Sequence, residues 1–260
     1  MNTPSFDLPI ARGRTAEVFA WDEQHILKLF HDWFSLEDIE YEFKIAKAVH
    51  ASGVKSPAVK EIVQVNGRNG LVYERIHGET MFALLKRRPW RVFHLGTLLA
   101  QYHFQMHTCN FDAEVPVLKD KLRNRLKRAK ALLGPIQPRL LDALGPLSAG
   151  NKVCHGDFHP GNILLANDSA MVIDWIDASR GNPLADVART SVLALGAAST
   201  FGSGMKLFIK LFHAAYLKEY FRLSPAGKEE YRKWIPIVAG ARLDENIPEL
   251  KTWLLEQARA

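Results

Sequence analysis

Hydrophobic positions alternate over short runs in the first third of the chain and recur at helical spacing through most of the rest. Ala16 to Trp21 (AEVFAW) and Ile26 to Phe30 (ILKLF) flank the polar stretch Asp22-Glu23-Gln24-His25 and read as a hairpin. Ile62 to Val65 and Leu71 to Glu74 flank Asn66-Gly67-Arg68-Asn69-Gly70, a second hairpin with strong turn chemistry. Between the hairpins, Leu36, Ile39, Phe43, Ala46 and Val49 form the stripe of one helix. Ser35, with Asp38 three residues on, is its N-cap and Gly53 its stop. After residue 80 the spacing is helical over Thr80 to Arg87, Arg91 to His107, Leu118 to Ala131 and nearly everything from Pro183 onward. One β-like patch interrupts it, Asn162 to Leu165 and Met171 to Ile173, around Ala166-Asn167-Asp168-Ser169. The pattern predicts an α+β chain of two lobes: an antiparallel-sheet lobe with one helix over 1–75, a hinge over 76–80, and a larger, mainly helical lobe over 81–260. A cleft between such lobes is where a ligand is expected.

Composition narrows the class. A hydrophobic fraction of 47% and a charged fraction of 24% over 260 residues exclude disorder and fibrous repeats. The net charge of +6 lies in one segment, where seven bases (Lys119, Lys121, Arg123, Arg125, Lys127, Arg128 and Lys130) face a single acid, Asp120. Leu118, Leu122, Leu126 and Ala129 give that segment an apolar stripe. It reads either as a patch for nucleic acid or anionic membrane, or as the solvated face of a surface helix. No aromatic side chain interleaves the bases, which favours the solvated face, so no nucleic-acid partner is expected. Cys109 and Cys154 make neither a disulfide framework nor a CxxC pair. The opening residues hold no apolar core of signal-peptide length. Ser191 to Ala198 and Met205 to Leu217 are too short or too charged to span a bilayer. A cytoplasmic monomer with no membrane partner is the expectation.

Three features carry chemistry. Glu42 falls among the apolar residues of the first helix, and a carboxylate aimed at an interior needs a cation. Lys28, mid-strand between Leu27 and Leu29, is the candidate partner; alternatively, both snorkel at the edge of the core. The second feature is His155-Gly156-Asp157-Phe158-His159-Pro160-Gly161-Asn162, followed by Asp174 after an apolar run. Glycine and proline hold the first part in a turn. Asp157, Asn162 and Asp174 are hard oxygen ligands suited to Mg²⁺ shared with phosphates, and a carboxylate on such a loop can accept a proton from a hydroxyl. The third is Gly13-Arg14-Thr15 at the start of the first hairpin, whose backbone N–H groups, hydroxyl and base suit phosphate, though its glycine content is poor.

The order of these parts is that of a kinase-like phosphotransferase. HGDFHPGN followed by VIDW resembles the aminoglycoside phosphotransferase and choline kinase family, over Gly13 to about Asp186. The resemblance implies a protein-kinase-like fold and transfer of the γ-phosphoryl group of ATP to a hydroxyl of a small molecule. It implies that Asp157 is the catalytic base, that Asn162 and Asp174 hold Mg²⁺, and that Lys28, fixed by Glu42, meets the α- and β-phosphates. Gly13, Arg14 and Thr15 would close over the phosphates, and the backbone from Glu74 to Ile76 would meet adenine. Asp186 would brace the catalytic loop. Trp175 stands where a D-F-G kinase has phenylalanine, and Pro183 follows too soon for a long regulated loop, so a constitutively active enzyme is expected.

The alternative is a metal-dependent hydrolase, with His155, Asp157 and His159 as one set of zinc-suited ligands and His103 with His107 as another. His103-Phe104-Gln105-Met106-His107 lacks the glutamate of a zincin helix. For the acceptor, acids (Asp186, Glu229, Glu230, Asp244, Glu245, Glu249) and aromatics (Tyr216, Tyr220, Trp234 among them) read either as a grip for a cationic amine or as ordinary helix surface and core.

Overall fold

Asn66 and Gly67 both take left-handed backbone angles, φ 50° and 81°, and this two-residue turn sets the register of the sheet around it. The computed structural model describes residues 8–166 and 169–260. Asn167 and Asp168 of the turn expected near residue 167, and the residues before Leu8, lie outside the described residues. Along the chain come β1 (Ala11–Arg12), β2 (Ala16–Ala20), β3 (His25–Phe30), α1 (Leu36–Ala51), β4 (Val59–Val65), β5 (Arg68–Glu74), β6 (Glu79–Thr80), α2 (Met81–Arg87) and α3 (Val92–Met106). Then follow α4 (Leu118–Arg128), α5 (Lys130–Leu133), α6 (Ile136–Leu144), β7 (Lys152–Cys154), β8 (Ile163–Ala166), β9 (Ser169–Val172), β10 (Ser179–Gly181), α7 (Pro183–Thr200), α8 (Ser203–Leu223), α9 (Lys228–Arg242) and α10 (Lys251–Arg259). Contacts gather these into two units: the chain up to Glu79 with Ile163–Ile176, and Thr80–Asn162 with Asp177–Ala260.

The first unit is built on an antiparallel sheet in the order β1-β2-β3-β5-β4. Because the Asn66-Gly67 turn is so tight, Arg68, Asn69 and Gly70 pair with β4 instead of forming the turn predicted for them. Alternation along β3 sends Leu27 and Leu29 to one face, where they pack with Phe19 and Val72. It sends Phe30 to the other, where Ala16, Ile39 and Leu71 make a second core. Lys28 shares that second face by the same period of two. α1 covers it with Ile39, Glu42, Ile45, Ala46 and Val49, while Leu36, expected in the stripe, is exposed. Ser35 caps α1 by accepting from the Asp38 N–H at 3.1 Å, and its hydroxyl donates to the Asp38 carboxylate at 2.6 Å. Gly53, at φ 85°, ends the helix as expected. The hairpin β8–β9 is joined to this unit by the Val172 N–H, which donates to the Lys55 carbonyl at 2.9 Å.

The second unit is helical. α3 and α8 approach closely at Gly96, where a Cβ would stand 2.7 Å from the Phe212 carbonyl oxygen. Its core holds Trp234, Tyr216, Tyr220, Phe158 and Phe111. α4 is more than a solvated face: four of its bases reach partners outside the helix. Lys119 donates to the carbonyls of Gly145 and Leu147, Lys121 and Arg125 meet Asp177, and Arg128 grips Asp244 through its Nε and Nη2 groups. Among the described residues, no helix is long and apolar enough to cross a membrane.

Candidate active site

In the first unit the strand lysine and the helix glutamate meet. Lys28 Nζ lies 2.6 Å from Glu42 Oε1, whose side chain is 2% exposed, and the Tyr73 hydroxyl donates to the same oxygen at 3.1 Å. Of the two arrangements the sequence left open, this is the buried pair. Lys28 also lies 3.3 Å from Asp174 Oδ1. Burial alone lowers the Lys28 ammonium, but Glu42 and Asp174 outweigh it and hold it above the ordinary lysine value. Burial, with Glu42 adding to it, pushes the Tyr73 phenol well up. Asp174 follows β9 with φ 66°, a left-handed conformation that costs an ordinary side chain ~1 kcal/mol or more and that Asp tolerates best after Asn. The Trp175 indole N–H donates back to the Val172 carbonyl at 2.9 Å and fixes this corner, leaving the Asp174 side chain 46% exposed.

Also in this unit, Gly13 donates to the Ala16 carbonyl at 2.8 Å, closing the turn that carries Arg14 and Thr15 between β1 and β2. Arg14 is exposed and lines a recess with His31, Asp32, Trp33 and Arg68. Glu74 ends β5 with its carboxylate accepting from the Ala58 N–H at 3.2 Å, and Ile76 follows in the connection between β5 and β6.

In the second unit the loop after β7 is held from beneath by Asp186, the first acid of α7. One carboxylate oxygen accepts from the His155 N–H at 2.6 Å and the other from the Gly156 N–H at 2.8 Å. The first also takes His103 and His107 through Nε2, at 3.1 and 3.3 Å. A carboxylate only accepts, so both Nε2 atoms carry protons and both Nδ1 atoms accept, from Tyr216 and Tyr220 at 2.7 Å each. Burial raises the Asp186 carboxyl, but the two imidazoles outweigh it and hold it well below the usual range. Burial, reinforced by His107, lowers His103 to about 3. Gly156 sits at φ 81° with the Asp177 carbonyl oxygen 2.8 Å from where a Cβ would be, so this position demands glycine.

On that base, His155 Nδ1 accepts from the Asp157 N–H at 3.1 Å, and His159 Nδ1 accepts from the Gly161 N–H at 3.0 Å. His159 Nε2 then faces the Asp157 carboxylate at 3.4 Å. Asn162 donates from Nδ2 to the Asp157 carbonyl at 3.0 Å. Burial raises the Asp157 carboxyl, but the hydrogen bond from His159, with the electrostatic influence of His159, His155 and Arg189, brings it to about 2. It is therefore an anion at neutral pH.

These contacts settle the histidines. His103, His107 and Asp186 do bring three possible ligand atoms within 4.8 Å of one another. Every nitrogen of the two imidazoles is already hydrogen-bonded, however, and the carboxylate holds two backbone N–H groups as well, which makes the cluster a brace. His155 and His159 are likewise spent on the loop's own backbone, so the hydrolase reading is corrected. Tyr73 and Arg189 were not found from sequence, and Tyr216 and Tyr220 only as aromatics that could grip an amine or fill the core. Only the i, i+4 spacing of Tyr216 and Tyr220, matching that of His103 and His107, offered a signal.

This fold is that of small-molecule kinases. A choline/ethanolamine kinase family protein from Mesorhizobium loti superposes with a TM-score of 0.60 at 16% identity, covering 95% of this chain and 85% of its own. A thermostable mutant of aminoglycoside phosphotransferase APH(4)-Ia, in a ternary complex with AMP-PNP and hygromycin B, gives 0.68 at 13% identity over 97% and 91%. An amicoumacin kinase in complex with AMP-PNP gives 0.61 at 15% identity over 96% and 86%. No curated protein matches the chain. The model of the phosphotransferase enzyme family matches residues 8–234, and the chain belongs to that family.

Proposed function

We propose that this enzyme transfers the γ-phosphoryl group of ATP to a hydroxyl of a small molecule, with Mg²⁺. The observation that carries the reading is Lys28, an ammonium held by a buried glutamate and set beside the half-exposed Asp174, in a chain of the phosphotransferase family. AMP-PNP in two of the structural neighbours supports ATP as donor.

Lys28 meets the α- and β-phosphates, and the turn of Gly13, Arg14 and Thr15 covers them. The backbone from Glu74 to Ile76 meets the adenine edge. Asn162 and Asp174 suit Mg²⁺: both offer hard oxygen, and the Asn162 Nδ2 is spent on the Asp157 carbonyl, so its Oδ1 is the atom on offer. When bound, the ion neutralises charge on the phosphate oxygens. Asp157 orients the acceptor hydroxyl. As the new O–P bond forms and the β,γ-bridging O–P bond breaks, the hydroxyl proton passes to Asp157 and ADP leaves. A carboxylate near pKa 2 is a weak base, so its main contribution is orientation, with the proton moving late.

Asp157→Ala tests the assignment through ADP release, with water as acceptor where no alcohol is supplied. Turnover should fall about 10²-fold or more, the usual worth of a general base, while stabilisation by Mg·ATP persists. Wild-type turnover in that variant contradicts the role given to Asp157.

A further inference from the structure

Eleven large hydrophobic side chains are exposed among the described residues, and seven of them belong to two segments of the second unit. Phe82, Trp90 and Phe93 come from α2 and the entry to α3, with Trp90 73% exposed. Phe201, Met205, Leu207 and Leu211 come from the α7–α8 junction and the first turns of α8, with Leu207 58% exposed. The two segments are neighbours. His103 and His107 of α3 reach Tyr216 and Tyr220 of α8, so the two helices run side by side in the same direction. On one flank of the pair Gln101 donates to Glu219 at 2.8 Å. Two turns back along each helix, that flank carries Phe93 and Leu211. The spacing agrees with Gly96, where a Cβ would stand 2.9 Å from the Ala215 Cβ. Every residue from 201 to 207 is exposed, so the start of α8 leaves its hydrophobic side chains in solvent. A gathering of this kind on a globular surface marks an interaction site.

Charge says what the partner is. The stretches from Thr80 to Phe111 and from Thr190 to Lys218 hold seven bases and no acid. Six of the seven, Lys86, Arg88, Arg91, Lys206, Lys210 and Lys218, form no ion pair among the described residues. Lys121, Arg125 and Arg128 of α4 differ, being held by Asp177 and Asp244. Glu219, the first acid after the second stretch, is taken by Arg222 at 2.7 Å. The face is thus apolar and cationic together. Two copies of it would repel each other, which disfavours a second copy of this chain as its cover. Nucleic acid would stack on Trp90 and Phe93, but Met205, Leu207 and Leu211 offer a base no ring. An anionic lipid surface employs every one of these groups. Aliphatic and aromatic side chains enter the acyl boundary, while Lys and Arg meet the headgroup phosphates.

We propose that this end of the second unit, with Trp90, Phe93, Leu207 and Leu211 at its centre and the six bases around them, docks the enzyme on anionic membranes. The expectation of no membrane partner came from the lack of spanning segments, which docking does not need. The proposal is independent of the phosphoryl acceptor.

The test is co-sedimentation of the full chain with vesicles of phosphatidylcholine alone, or of phosphatidylcholine and phosphatidylserine mixed about two to one. Binding to the mixed vesicles is expected at low salt, with much weaker binding to phosphatidylcholine and release from both as salt screens the bases. Lys206→Gln and Lys210→Gln should each weaken binding about fivefold, the worth of one base near such a surface. Trp90→Ser and Leu207→Ser should each weaken it about fivefold or more through lost apolar burial. All four positions are exposed, so unfolding temperature and stabilisation by Mg·ATP should match wild type. No sedimentation with either vesicle overturns the proposal, as does equal binding to both. Loss on Lys206→Gln with no loss on Leu207→Ser overturns it too, and points to nucleic acid if single-stranded DNA then binds as tightly. A dimer in analytical ultracentrifugation that Leu207→Ser abolishes gives the face to a second copy instead.

Discussion

Lys28→Met isolates the pair on which the nucleotide-binding reading depends. In the native chain Glu42 is 2% exposed, and its Oε1 takes the Lys28 ammonium at 2.6 Å and the Tyr73 hydroxyl at 3.1 Å. Its Oε2 has no hydrogen-bond partner among the described residues. Without Lys28, a carboxylate stays buried with one phenol. Removing one member of a buried ion pair costs about 3–5 kcal/mol, and because Lys28 is itself 17% exposed the lower end, about 3 kcal/mol, is expected. For a chain of this size that is an unfolding temperature lower by about 6–12 °C. Lys28→Met combined with Glu42→Gln removes both charges and leaves the Tyr73 hydroxyl an amide oxygen to donate to. Replacing a buried pair by neutral groups is often close to neutral, so the double variant should recover to within about 1 kcal/mol of wild type. Urea unfolding of the four proteins of this cycle gives the coupling directly. A loss below about 1 kcal/mol in Lys28→Met, or a double variant as unstable as the single, refutes the buried-pair reasoning.

Two further predictions concern the brace beneath the loop. The unfolded chain protonates His103 below pH 6.5, whereas the folded chain does so only near pH 3. The unfolded state therefore binds more protons between these values, and stability falls as pH falls, by about 2 kcal/mol at pH 5 from this residue. His103→Gln should flatten that part of the stability profile, and a profile identical to wild type contradicts the neutral, buried imidazole. Asp186→Asn removes the shared acceptor of two backbone N–H groups and two imidazoles. The amide hydrogens of His155 and Gly156 should then exchange faster with solvent and kcat should fall. Unchanged protection of both amides removes Asp186 as the brace.

Much of the fold was legible because local chemistry and global pattern agree. Asn66-Gly67 declares its own turn, Ser35 and Gly53 bracket α1, and the period of two along β3 aims Lys28 at the α1 face. The extent of the second hairpin was misjudged because Arg68, Asn69 and Gly70 look like turn residues by composition, although the two-residue turn leaves them to the ladder. The chemistry on the HGDFHPGN loop and at Asp174 was readable as a motif. Its supports were not, since the contact of His103 with Tyr216 spans 113 residues and leaves no local pattern. The basic helix shows the same gap. Its charge was plain, but that Lys121 and Arg125 reach Asp177 depends on an acid 52 residues or more along the chain.

Nucleotide binding by this enzyme should depend on both Mg²⁺ and Asp174. Thermal unfolding is measured with ATP alone, Mg²⁺ alone and both, for wild type and Asp174→Ala. Mg·ATP at about 100 times its dissociation constant should stabilise the wild type by about 2.7 kcal/mol, ATP alone by much less, and the variant should lose the difference. Equal stabilisation of both proteins by ATP with or without the ion, or no stabilisation of either, contradicts the central claim.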